Sequence, residues 1–143
     1  MTASNPRILV VDDEPCTREM LEEALLRRGY ECVTASGALE AAYVLEREEF
    51  DLLLLDSLMP GRSGMDLLAA VAEYPYMPVV MMMGVGDTAA VAKALRGGAS
   101  DCVTKPVDPE ELAARLDHAL ARRALILRDR RMYKATSEFT ELV

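Results

Sequence analysis

The run DLLLLD, Asp51 to Asp56, decides how this chain folds. Four consecutive leucines leave no polar face, which is the pattern of a strand buried on both sides of a parallel sheet, and the run ends on a carboxylate. Outward from it, RILVV (Arg7 to Val11) is a second such run, and it stops at an acidic pair, Asp12 and Asp13. ECVTA, PVVMMM and SDCVT complete a set of five short apolar segments. Helical spacing fills the gaps between them. Pro15 opens the first helix, with acidic residues expected in its first turn and Met20, Leu21, Ala24 and Leu25 recurring until Gly29 stops it. Ser36 is the expected N-cap of the second, which should turn Leu39, Ala42 and Leu45 to one face. MDLLAAVAEY and TAAVAKALR supply two more. Asp108 should cap a long last helix that starts at Pro109 and faces Leu112, Leu116 and Leu120 inward.

Five alternations of strand and helix at this spacing predict the α/β class, a doubly wound parallel sheet with helices on both faces, because βαβ crossovers are right-handed. In such open sheets the ligand site lies outside the carboxyl ends of the strands. That rule gathers Asp12, Asp13, Asp56, Met83 and Lys105 around one crevice, although they are scattered along the sequence.

Composition narrows the possibilities. A chain of 143 residues fits one domain, and with no tryptophan and nine methionines its core should be aliphatic rather than built of stacked rings. No apolar run approaches the roughly 20 residues of a membrane span, and MTASNPR lacks the features of a secretory signal, so a cytoplasmic location is expected. Cys16, Cys32 and Cys102 form no CxxC pair and are expected as reduced, mostly buried thiols. The net charge of −8 argues against direct nucleic-acid binding, and the basic stretch ARRALILRDRRMYK reads as a solvated helix face.

Three carboxylates converging on one point call for a cation, and an all-oxygen donor set suits a hard ion such as Mg²⁺. A carboxylate in that setting can also attack phosphorus to form an aspartyl-phosphate, with Lys105 pairing the phosphoryl oxygens. Met81, Met82 and Met83 read as core filling rather than a soft-metal site, since no Cys or His stands at ligand spacing. His118, on a Leu-faced amphipathic helix, reads as a structural histidine rather than a phosphocarrier.

ILVVDDEP, DLLLLDSLMPGRSGMDLL and GASDCVTKP, in this order and spacing, resemble the receiver domain of bacterial two-component response regulators, over about Arg7 to Leu120. The resemblance implies a flavodoxin-like sheet of strand order 2-1-3-4-5. It implies Asp56 as the phosphoacceptor, Asp12 and Asp13 as the pair that holds Mg²⁺ together with Asp56 and the backbone carbonyl of Leu58, and Lys105 as the phosphoryl contact. It also implies a cis bond before Pro106. The phosphodonor would be a sensor histidine kinase. The signal would pass to a partner or an output domain through the fourth helix, fifth strand and fifth helix, a surface that also suits a homodimer.

This chain departs from the family pattern at two switch positions. The family has Thr or Ser at the end of the fourth strand, where Met83 has no hydroxyl to donate, and Tyr or Phe on the fifth, where Cys102 is too small to report the same motion. The small residue beside the phosphoryl site is kept as Gly84. A phosphorylation-independent pseudo-receiver, acting as an interaction or dimerisation module, is therefore the alternative. A Mg²⁺-dependent phosphohydrolase would need a further acid/base carboxylate just after Asp56; Ser57 and Leu58 stand there, so the chain reads as a signalling module and not an enzyme.

Residues 1–122 are expected to form the receiver domain and 123–143 a helical C-terminal extension, a linker toward an output domain outside this chain. Leu125, Arg128, Met132, Ala135, Phe139 and Leu142 alternate at spacings of three and four, a seam through which the C-terminal helix could also dimerise.

Overall fold

The computed structural model describes residues 5–58, 64–71 and 77–142, with the last helix beyond residue 129 given by its backbone alone. Its strands are β1 (Arg7–Val11), β2 (Glu31–Ala35), β3 (Leu52–Asp56), β4 (Val79–Met83) and β5 (Asp101–Thr104). They form one parallel sheet of order β2-β1-β3-β4-β5, the flavodoxin-like arrangement. The helices α1 (Pro15–Arg27), α2 (Ala38–Arg47), α3 (Gly64–Val71), α4 (Thr88–Arg96) and α5 (Pro109–Leu142) connect and flank them.

Strand position explains composition. Every residue of the central β3 and β4 is buried, so an unbroken apolar run is what both faces require. The edge strands β2 and β5 are only partly covered, and they carry Glu31, Thr34, Asp101 and Thr104. Alternation divides the core in two. Leu9, Val11, Leu53, Leu55, Met81 and Met83 pack with α2, α3 and α4, while Ile8, Val10, Leu52, Leu54, Val80 and Met82 pack with α1 and α5. Each fully buried side chain of this size contributes about 1.5–3 kcal/mol.

Several local expectations need correction. Leu39 is 78% exposed, and the buried face of α2 is set by Ala38 and Ala41, with Val44 and Leu45 packed beside them. Of the expected stripe, Leu45 is packed against the core and Ala42 is half-buried, and Leu39 alone faces solvent. Gly37, not Ser36, is the N-cap of α2; Ser36 donates its hydroxyl and its N–H to Glu40 Oε2 instead, at 2.7 and 2.9 Å. The first turn of α1 holds no acidic residue: Asp12, Asp13 and Glu14 all precede Pro15. In that helix Leu21 and Leu25 are buried while Met20 is exposed. None of the thiols is fully buried, since Cys16 is exposed and Cys32 and Cys102 are half-buried, though all three are free.

Helix ends obey ordinary chemistry. Asp87 caps α4 by accepting the Ala90 N–H, and Asp108 accepts the Glu110 N–H at the start of α5. Gly29 and Gly98 take positive φ just after α1 and α4, conformations that a side chain would strain. The helix expected over MDLLAAVAEY is described as far as Val71, and its remainder lies outside the described residues. Leu112 and Leu116 of α5 are buried, with Leu120 packed beside them. The helix then runs on without a break to Leu142, with Leu125 and Ile126 exposed; the side chains of Met132, Ala135, Phe139 and Leu142 lie outside the described residues. No helix of the described residues is long and apolar enough to cross a membrane.

Candidate functional site

Register builds the site. Val11 of β1 pairs with Leu55 of β3, so the next residues, Asp12 and Asp56, emerge side by side at the carboxyl edge of the sheet. Met83 of β4 pairs with Thr104 of β5, which places Lys105 one step further along the same edge. The Lys105 N–H donates to the Met83 carbonyl at 2.8 Å, and the bond from Lys105 to Pro106 is cis.

Asp12 is 0% exposed and Asp56 3%, while Asp13 faces solvent. Carboxylate oxygens of Asp12, Asp13 and Asp56 lie within 4.8 Å of one another. Lys105, whose side chain is 28% exposed, reaches over the two buried carboxylates: its Nζ lies 2.8 Å from Asp12 Oδ2 and 3.1 Å from Asp56 Oδ2. Asp56 Oδ1 accepts the Leu58 N–H at 3.2 Å. Among the described residues no buried side-chain polar atom lacks a partner.

Crowding sets the electrostatics. Burial pushes the Asp56 carboxyl above its ordinary value; the Leu58 N–H and Lys105 pull it back, and the Asp12 charge adds to the rise. For Lys105, burial works against the ammonium, but its bonds to Asp12 and Asp56 outweigh that, and its pKa stands above the ordinary lysine value. An anionic, all-oxygen cluster on one side and a single ammonium on the other can take a hard divalent cation, since closing three oxygens around such an ion needs only small side-chain movements.

The structure thus brings together Asp12, Asp13, Asp56 and Lys105, the residues that the sequence places at this edge. Leu58 stands two residues past Asp56, with its side chain exposed. Met83 is as buried as Asp12 and Asp56, and its side chain joins the apolar cluster that also holds Met81 and Ala94 of α4. Its backbone carbonyl accepts the Lys105 N–H at the edge. Cys102 is packed against the same cluster, and Gly84 begins the loop to α4 with open space where a Cβ would stand.

Two contacts lie outside the residues that the sequence motifs point to. Arg18, from the second turn of α1, donates through Nη1 to the Asp12 carbonyl at 2.7 Å. Gly64 starts α3 so close to β3 that a Cβ there would lie 2.0 Å from the Asp56 carbonyl oxygen. The MPGRSG break carries a faint signal for the glycine. A lone arginine on a charged helix face carries none.

Comparison with known proteins agrees with this geometry. The family profile of the response regulator receiver domain matches residues 8–117. The chain is 39% identical over 118 residues to the phosphate regulon transcriptional regulatory protein PhoB of Pseudomonas aeruginosa, covering 80% of this chain and 52% of that protein. It therefore spans about half the length of the curated relatives it matches. Among solved structures, a response regulator receiver domain protein from Methanospirillum hungatei superposes with a TM-score of 0.80 at 31% identity, over 85% of this chain and 98% of that one. NtrX from Brucella abortus superposes with a TM-score of 0.85 at 30% identity, over 90% of this chain but 29% of its own.

Proposed function

The chain belongs to the family of response regulator receiver domains, and from that membership we propose that it accepts a phosphoryl group on Asp56 from the phosphohistidine of a sensor histidine kinase, in the cytoplasm. The observation that carries this reading is the trio Asp12, Asp13 and Asp56 within 4.8 Å, with Lys105 spanning the two buried members. Asp12, Asp13, Asp56 and the backbone carbonyl of Leu58 would hold Mg²⁺. When bound, that ion offsets the charge that grows on the phosphoryl oxygens.

An Asp56 carboxylate oxygen forms the new O–P bond as the P–N bond of phosphohistidine breaks, and the electron pair returns to the imidazole nitrogen. No base is needed, because the nucleophile is already an anion. Lys105 exchanges its contact with Asp56 for one with the incoming phosphoryl oxygens. Asp12, fixed beneath it, keeps the ammonium in place.

Met83 shapes the response to phosphorylation. With its side chain in the core and no hydroxyl to turn toward the phosphoryl group, the loop at Gly84 answers through backbone contacts, and the state reaches α4, β5 and α5 by that path. That surface, or the long α5, would meet a second copy or an output domain. The same buried Met83 supports the second reading, a pseudo-receiver that works by partner binding alone.

Intact-protein mass after incubation with Mg²⁺ and acetyl phosphate separates the two. Gain of one phosphoryl group, absent in Asp56→Asn and without Mg²⁺, is expected. No gain, together with no binding of a beryllofluoride mimic, would transfer the conclusion to the pseudo-receiver.

A further inference from the structure

Every hydrogen-bonding atom of Asp12 is held by a different part of the fold. Its N–H donates to the Ala35 carbonyl of β2 at 3.1 Å, Oδ1 accepts the Glu14 N–H at 2.9 Å, Oδ2 accepts Lys105 Nζ at 2.8 Å, and its carbonyl accepts Arg18 Nη1 at 2.7 Å. These four bonds are not equivalent. A cation taken up by Asp12 would compete for its carboxylate oxygens, so the two backbone bonds are the ones it leaves untouched. One of those two backbone bonds is to the sheet. The other is to Arg18.

The start of α1 gives a reason for that dependence. Glu14, its N-cap, makes no side-chain capping bond, and Pro15 has no N–H to offer. The turn from β1 into α1, which carries Asp12 and Asp13, is therefore pinned at its N-cap by the Asp12 Oδ1 to Glu14 N–H bond, one that a cation on Asp12 would compete for. Arg18 supplies a second stitch, because its guanidinium reaches back over the turn to the Asp12 carbonyl. A bond between a guanidinium and a carbonyl is charge-assisted, and stronger than a neutral pair.

We propose that Arg18 is a positioning residue for the cation site: by holding the Asp12 carbonyl it fixes the β1–α1 turn, so that the Asp12 and Asp13 carboxylates are preorganised for Mg²⁺. The inference rests on Asp12, Asp13 and Asp56 being the Mg²⁺ site. Its test lies in a sign. Arg18 is a cation bonded to Asp12, a member of the carboxylate trio, so by charge alone its removal would tighten binding of a second cation. Positioning demands the opposite.

The experiment is calorimetric titration of Mg²⁺ into the full chain and into Arg18→Met and Arg18→Lys, with a thermal melt of each metal-free protein. Arg18→Met keeps the apolar stem and removes the donors; Arg18→Lys keeps the charge and an ammonium donor. The expected result is a roughly tenfold rise in the Mg²⁺ Kd for Arg18→Met, the scale typical of residues that orient metal ligands, with most of it recovered in Arg18→Lys. Unchanged or tighter binding by a folded Arg18→Met overturns the inference. Should Arg18→Met melt below the titration temperature, Arg18→Gln, which removes the charge and reaches less far, decides: a several-fold rise in the Mg²⁺ Kd supports the role, and unchanged or tighter binding refutes it. A wild-type chain that binds no Mg²⁺ removes the reading of the site itself, whereas wild-type binding with an indifferent Arg18 removes only the positioning role.

Discussion

Replacing Gly64 by alanine tests how closely α3 is seated on β3, the strand that ends at Asp56. A Cβ at that position would stand 2.0 Å from the Asp56 carbonyl oxygen, 2.9 Å from the Asp56 carbonyl carbon and 2.9 Å from Ser57 Cα. A carbon and an oxygen approach to about 3.3 Å in ordinary contact, so the overlap exceeds an ångström. All three neighbours are backbone, and no side chain can swing aside. The strain belongs at the upper end of the roughly 1–3 kcal/mol that overpacking costs. Gly64 is the first residue of α3, where alanine's interior helix propensity returns little, which leaves about 2–3 kcal/mol of destabilisation. For a chain of this size that is a fall in Tm of roughly 6–15 °C, read by circular dichroism at 222 nm. Gly84→Ala is the control: a Cβ there meets nothing within 4 Å and φ is not in the left-handed region, so its Tm should lie within about 2 °C of wild type. A Gly64→Ala protein that melts like the control would refute the close approach of α3 to the Asp56 backbone.

Asp56→Asn should raise the Tm at pH 7. Burial lifts the Asp56 pKa above its ordinary 3.8, so the folded state binds the proton more tightly than the unfolded one, and stability falls as pH rises from 3.8 through the raised value. The ionised group therefore penalises folding at neutral pH, and the advantage of Asn should vanish below pH 3.8; a lower Tm for Asp56→Asn at pH 7 would contradict this. Lys105→Met works the other way, because the contribution of the ammonium is present below the ordinary lysine value and is lost only as pH rises through its raised pKa. Removing it at pH 7 leaves Asp12 and Asp56 facing each other unpaired, at a cost of about 2–3 kcal/mol in urea unfolding, below the roughly 3–5 kcal/mol of a fully buried pair since Lys105 is partly exposed. Combining it with Asp56→Asn should recover part of that loss. Met83→Thr should accept phosphate from acetyl phosphate at the wild-type rate while unfolding about 2–3 kcal/mol more easily, since it empties core volume. Its amide shifts around Gly84 on phosphorylation should exceed those of wild type, and equal shifts would count against the missing hydroxyl as the reason for a weak relay.

The layered architecture, and the edge at which chemistry can occur, are legible in the amino-acid order alone. Short aliphatic runs such as Leu52–Leu55, by their length and lack of a polar face, read as central strands, and acids placed just after them gather at the carboxyl edge once the sheet is parallel. These features are local and periodic, and periodicity survives in a single sequence. Packing settles what periodicity cannot encode. Lys105 bridges Asp12 and Asp56 because β1, β3, β4 and β5 lie in that spatial order. Arg18 bonds the Asp12 carbonyl only because α1 folds back over its own entry turn. Leu39 is exposed and Ala41 buried because α2 turns Ala38 and Ala41 toward the sheet, a matter of rotation about the helix axis that an apolar score does not fix. Met83 shows the same division: its place at the end of β4 is written in the sequence, whereas the burial of its side chain in the cluster shared with α4 comes from the pleat of a covered strand.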